Sequence, residues 1–221
     1  MNEIIGLNNI ETAFENIVEP LIDIFLLKKD DPVSIINNTI NTIKMTGTFR
    51  DMWFYKKIER FLEAIKNGDN ENSIELSSKL FCDEKTARKN VLRLIHYIDE
   101  AETLTIVDYI VNATRSAANG LIKEQDYFRI LWTLTNTFSD DLHYFKEIAV
   151  VDETIEGNTQ IIALAQVGLM ISAGIDANRS IEKQDYAVTD FGIMVDRYAL
   201  SLDDEERLKY WRNHEDSNSG V

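Results

Sequence analysis

The sequence predicts an all-α fold with a small C-terminal unit carrying one short β-hairpin, and three features lead to that class. Apolar residues recur at helical spacing through most of the 221-residue chain, and Gly and Pro number only 9 and 2. Just one segment, residues 181–188, reads as a strand, and a two-stranded hairpin fits it.

Taken in order, residues 7–25 and 32–45 are expected to form two N-terminal helices. Phe54, Ile58, Phe61, Leu62 and Ile65 then place one apolar stripe on a helix over about residues 50–66. The polar run 67–72 breaks that pattern and reads as a linker. A short helix near 73–81 leads into one over 85–98, where Ala87, Val91, Leu94, Ile95 and Ile98 repeat the spacing. Ile106, Ile110, Ala113 and Ala117 mark the next helix, and Asn119-Gly120 should stop it, because Gly accepts the left-handed conformation that closes a helix.

A helix over 124–137 follows, with Phe128, Leu131, Thr135 and Phe138 expected on its inward side. Ser139 is the expected N-cap of the helix that continues through Leu142 and Phe145. The uncharged run 158–175 is apolar on nearly every side and reads as one buried helix, enclosed by its own chain or by a second copy. The segment from Ser201 to Asp204 should open a final helix with an acidic first turn, in which Asp203 pairs with Arg207 and Glu205 with Lys209 at i, i+4 spacing.

The spacing Tyr186-x-x-Thr189-x-x-Gly192 follows the predicted hairpin. It resembles the wing-to-helix junction of winged-helix proteins such as the MarR-like regulators. The resemblance implies that Tyr186 ends the wing, Thr189 caps the next helix and Gly192 permits close packing. More broadly, the order Gly120 to Phe128, Phe138 to Leu142, the apolar run and this turn resembles helical proteins of unknown function from low-GC bacteria and their phages, over roughly residues 50–200. The expected organisation is an N-terminal helical region (1–66), a central helical bundle (73–150), a winged-helix-like unit (151–214) and a disordered tail (215–221).

Charge argues against the DNA-binding role such a unit would ordinarily imply. The net charge is −15, and residues 94–221 hold 10 Lys and Arg against 23 Asp and Glu. The segment 160–175, which would serve as recognition helix, contains no Lys or Arg, and the wing adds Glu182 and Asp185 against Lys183. DNA readers need cations on phosphates and polar side chains on base edges. An acidic surface repels phosphate and anionic lipid and suits basic protein surfaces.

Basic residues concentrate elsewhere. Arg50, Trp53, Lys56, Lys57 and Arg60 interleave cations with aromatics, a pattern that can hold single strands or nucleotides by stacking, although Phe54 continues the core stripe. Lys79, Lys85, Arg88, Lys89 and Arg93 form a second cluster. No nucleophile elbow, phosphate-binding loop or dinucleotide fingerprint occurs, so no catalytic residue and no cofactor is expected. Asp140, His143 and Glu147, or His96 and Glu100, could share a helix face, but no second His motif completes a metal site and none is expected. Cys82, the single cysteine, sits beside two carboxylates that raise a thiol pKa.

No signal peptide or membrane span is expected, which points to a cytoplasmic protein without membrane association. The functional expectation is a non-catalytic protein-interaction module, regulatory, accessory or inhibitory, with an anti-defence or DNA-mimic role as one version. It has a protein partner and a homodimer formed through the apolar run. The alternative is a nucleic-acid or nucleotide binder using residues 44–66.

Overall fold

The computed structural model of the protein describes residues 17–23, 32–46, 52–66, 83–150, 154–174, 184–202 and 204–218. The expected linker at 67–72, the short helix near 73–81, Arg50, Cys82, Glu182, Lys183 and Asp203 lie outside the described residues, as do residues 7–16 and 24–25 of the first expected helix. The chain divides into two compact units, Met1–Phe128 and Arg129–Val221. This division does not fall at the expected boundaries near 66–73 and 150.

In the N-terminal unit, every regular element among the described residues is a helix. Its helices are α1 (residues 17–23), α2 (Pro32–Thr46), α3 (Met52–Lys66), α4 (Glu84–Glu100) and α5 (Leu104–Ala118). It also holds the first turn of α6 (Glu124–Thr135), within which the division between units falls. The helix α3 packs against α2, α4 and α5, and its stripe explains why. Ile58, Phe61 and Leu62 are each at most 1% exposed, and burying each contributes roughly 1.5–3 kcal/mol. Polar side chains close the helix ends. The Asp83 carboxylate accepts the Thr86 N–H (3.0 Å), and the Thr103 hydroxyl accepts that of Ile106 (3.3 Å). As the sequence predicts, α5 stops before Gly120, which has φ +71°.

The C-terminal unit adds a small sheet. After α7 (Ser139–Ile148) come β1 (Ile155–Glu156), α8 (Thr159–Gln166), β2 (Met170–Ser172), β3 (Asp185–Val188), α9 (Asp190–Val195) running directly into a π-helical turn (Asp196–Leu200), and α10 (Glu205–Asn218). The sheet is antiparallel in the order β1–β3–β2, with Ile155 opposite Tyr186 and Ile171 opposite Ala187. Leu142, Phe145, Ile161, Leu164, Leu169 and Val195, all fully buried, form the centre of this unit.

Several expectations are corrected here. The run 158–175 is not one helix buried on every side. Gly168 takes φ +83°, the Leu169 N–H reaches back to Leu164 O (3.0 Å) and the Gly168 N–H to Ala165 O (3.1 Å). That pair of bonds closes a helix on a left-handed residue, so α8 ends at Gln166 and the chain turns into β2. Only Ile161 and Leu164 of α8 are buried. The motive for a homodimer through this segment goes with it.

Strands likewise extend beyond the predicted hairpin, because β1 and β2 arise from residues on either side of α8. Phe138 does not face inward. The helix α6 ends at Thr135, its carboxyl end capped by Asn136, whose backbone N–H and side-chain Nδ2 both donate to Trp132 O (3.0 and 2.9 Å); the helical register breaks and leaves Phe138 72% exposed. Ser139 is the first helical residue of α7 rather than its cap; Phe138 holds the cap position without a side-chain bond. The helix α10 opens at Glu205, with the Asp204 carboxylate accepting the Arg207 N–H (3.1 Å), and it continues through residues 215–218 of the expected tail.

Candidate interaction surfaces

Arg50 lies outside the described residues, and the four other residues singled out, all on α3, do not converge on one surface. Trp53 is 47% exposed, with the Lys56 ammonium 5.6 Å from its ring centroid, so these two form a small cation–aromatic patch beside exposed Met52. Lys57 points the other way and is 3% exposed. Its ammonium donates to Asp99 O and to Ala101 O (3.3 Å), closing the carboxyl end of α4 where carbonyls lack helical partners. Burial pulls its pKa below the ordinary 10.5, while the nearby Asp99 carboxylate (3.8 Å) opposes that shift. Arg60 is held in a two-pronged bond to Asp108 (2.7 and 3.0 Å), which raises its pKa further.

The second basic cluster is similarly engaged. Arg88 pairs with Glu19, and the Arg93 guanidinium stacks 3.6 Å from the Phe128 ring centroid. Lys85 and Lys89 remain exposed, and Lys79 lies outside the described residues. Of the positive charge that stood out in the sequence, Lys57, Arg60, Arg88 and Arg93 are engaged within the unit, and Lys56, Lys85 and Lys89 are exposed.

In the C-terminal unit, Thr189 and Gly192 of the Tyr-x-x-Thr-x-x-Gly spacing meet at one junction. Tyr186 is buried in β3. The Thr189 hydroxyl accepts the Gly192 N–H (2.9 Å) at the start of α9 and donates to Gly168 O (2.7 Å). A Cβ on Gly192 would stand 2.4 Å from Leu169 O and 3.1 Å from both Phe145 and Val188. The helix α8 begins with Asn158 accepting the Ile161 N–H (2.9 Å) and packs on α7 and β2. Thr159 and Gln166 are its exposed residues, and it carries no charge.

Two features of this unit were missed by sequence reasoning. The first is a buried polar node at the π-helical turn. Asp196, fully buried, accepts hydrogen bonds from Arg207 Nε (2.8 Å), Trp211 Nε1 (2.8 Å) and Ser201 Oγ (3.0 Å). Arg207 also donates to Lys146 O, and the Tyr210 hydroxyl to Val150 O (2.8 Å). Asp203, the partner expected for Arg207, lies outside the described residues; Arg207 bonds Asp196, eleven residues upstream. An Asp directly after the apolar stretch Ile193-Met-Val195 was the available signal.

The second missed feature is an exposed aromatic pair at the α6–α7 junction, Trp132 at 45% and Phe138 at 72%. Beyond it, Asp140, His143 and Glu147 lie on the outer face of α7, all exposed. The metal spacing read there gathers no third ligand: among the described residues no group of three or more His, Cys, Asp or Glu could hold an ion. On α4, His96 and Glu100 approach to 3.4 Å as an exposed i, i+4 pair. Among the described residues no helix is long and apolar enough to cross a membrane. Comparisons with protein-family models, curated proteins and solved structures find no match to this chain.

Proposed function

We propose that the chain is a non-catalytic protein-interaction module, a regulatory, accessory or inhibitory protein whose C-terminal unit is a winged-helix-like element adapted away from DNA. One observation carries this reading: α8, in the place of a recognition helix before the β2–β3 pair, bears no Lys or Arg and exposes only small polar ends. Phosphate neutralisation by cations drives DNA association, and this helix supplies none. Support also comes from the Thr189–Gly192 junction, which binds the helix after the sheet to the turn before it. The α3 patch favours the same conclusion, since Lys57 and Arg60 are engaged within the fold and leave Trp53 and Lys56 as a narrow contact for nucleic acid.

The test is affinity capture with the tagged full chain from extract of the source cells, followed by nuclease treatment. A protein recovered in near-stoichiometric amount and retained after nuclease is the expected result. Recovery of nucleic acid alone, or turnover of a nucleotide or phosphoester by the purified chain, overturns the reading.

A further inference from the structure

We propose that the surface at the α6–α7 junction, formed by Trp132, Phe138, Asp140 and Glu147, docks a basic protein segment with an apolar anchor, such as an amphipathic helix rich in Lys or Arg. The inference rests on the reading of the chain as a protein-binding module and names the partner's chemistry. Trp132 lies in the last turn of α6, and Phe138 stands three residues after that helix ends, so both aromatics flank one tight connection. They are 45% and 72% exposed, whereas Phe145 in the same helix pair is fully buried. Aromatic side chains contribute most to binding when a partner covers them, and large ones left in water mark contact sites.

Charge decides which partner fits. Asp140 and Glu147 are exposed on α7, seven residues apart and hence on one helix face, with no basic partner among the described residues. Three cations of the same unit have partners within it. Lys146 stands 3.7 Å from Asp204, Arg207 is bonded to buried Asp196, and the Arg129 guanidinium lies 3.9 Å from the Phe191 ring centroid. Residues 129–221 carry 17 Asp and Glu against 8 Lys and Arg, so the field around the aromatics is negative. A basic segment gains Coulomb attraction along α7 while its apolar side covers Trp132 and Phe138. Nucleic acid is repelled by that field. A second copy of this chain fits less well, because each copy carries a net charge of −15 and the two repel, although Lys56, Lys85 and Lys89 stay exposed.

The experiment titrates the full chain into two fluorescent synthetic peptides of equal charge, an amphipathic Lys–Leu helix and a Lys–Ser control, at two salt concentrations. The amphipathic peptide should bind at least about tenfold more tightly than the control. F138A, which removes a side chain 72% exposed, should reduce that preference while circular dichroism and the thermal midpoint stay unchanged. W132A/F138A should remove it with the circular dichroism kept and a lower midpoint, since Trp132 is 45% exposed. D140N/E147Q should weaken binding by about threefold or more and flatten its salt dependence. Equal affinity for both peptides, or an unchanged preference in W132A/F138A, overturns the proposal and leaves the protein-binding reading to the capture experiment. A concentration-dependent dimer in sedimentation that W132A/F138A abolishes also overturns it, because the occupant is then another copy.

Discussion

At the scale of single residues, the strongest commitment in the molecule is Asp196. A buried carboxylate is tolerated only when its lone pairs are filled, and here a guanidinium, an indole N–H and a hydroxyl fill them. Asp196→Ala leaves Arg207, itself 13% exposed, without its counter-charge and strands the Trp211 N–H. Losing one partner of a buried pair costs about 3–5 kcal/mol, so the variant should unfold well below the wild type in urea, with amide exchange in α10 rising first. Lys57 provides a second residue-scale test, with a definite sign. Its folded pKa lies below the unfolded 10.5, so between those two values the unfolded chain holds more protons. Stability from this group therefore rises with pH across that window and is lowest once pH falls below the folded pKa. Lys57→Met should remove that rise, which denaturant titrations on either side of the window would read as a flatter pH profile.

Element by element, the helices of the N-terminal unit were legible because their burial is one-sided. The pattern Phe54, Ile58, Phe61, Leu62, Ile65 sets both the existence of α3 and its inward face, and the Asn119-Gly120 stop is equally local. The C-terminal unit was less so. An apolar run buried in a mixed layer looks the same whether it is helix, turn or strand, and only Gly168 within 158–175 marked where α8 gives way to β2. The Arg207–Asp196 bond was hidden for a related reason: i, i+4 logic sees partners on the same helix and cannot see one across a turn. The Trp132–Phe138 surface was invisible because Phe138 continued a helical spacing that the chain abandons at Thr135. The Thr189–Gly192 junction, by contrast, was local enough to read. There Gly192→Ala should force α9 off the β2 turn, since its Cβ meets backbone oxygen at 2.4 Å and not a movable side chain. Overpacking of this kind costs about 1–3 kcal/mol, measurable as a lower thermal midpoint without loss of helical signal from the N-terminal unit.

For the whole molecule, charge is the governing quantity. Thirty-eight carboxylates face 23 Lys and Arg, and several of the cations are locked into internal contacts at Asp99, Asp108, Glu19 and Asp196. Among these pairs Arg207–Asp196 is buried, Lys57 is buried against an exposed Asp99, and Arg60–Asp108 and Arg88–Glu19 are about half exposed. The surplus carboxylates, by contrast, repel across the surface over distances comparable to the Debye length of about 8–10 Å near physiological salt. Two consequences with opposite salt dependence follow. Folding should be favoured by salt, because screening relieves the self-repulsion of a chain of net charge −15 more than it weakens these few short-range pairs. Binding to a basic partner should be disfavoured by salt, because the same screening removes the attraction that brings it in. Raising NaCl from about 50 to 500 mM should therefore raise the thermal midpoint of the free chain while loosening its complex with a basic segment. A midpoint that falls over that range would mean that exposed ion pairs outweigh the surplus negative charge. The acidity could then no longer be read as a long-range field, and the partner's chemistry would rest on Trp132 and Phe138 alone.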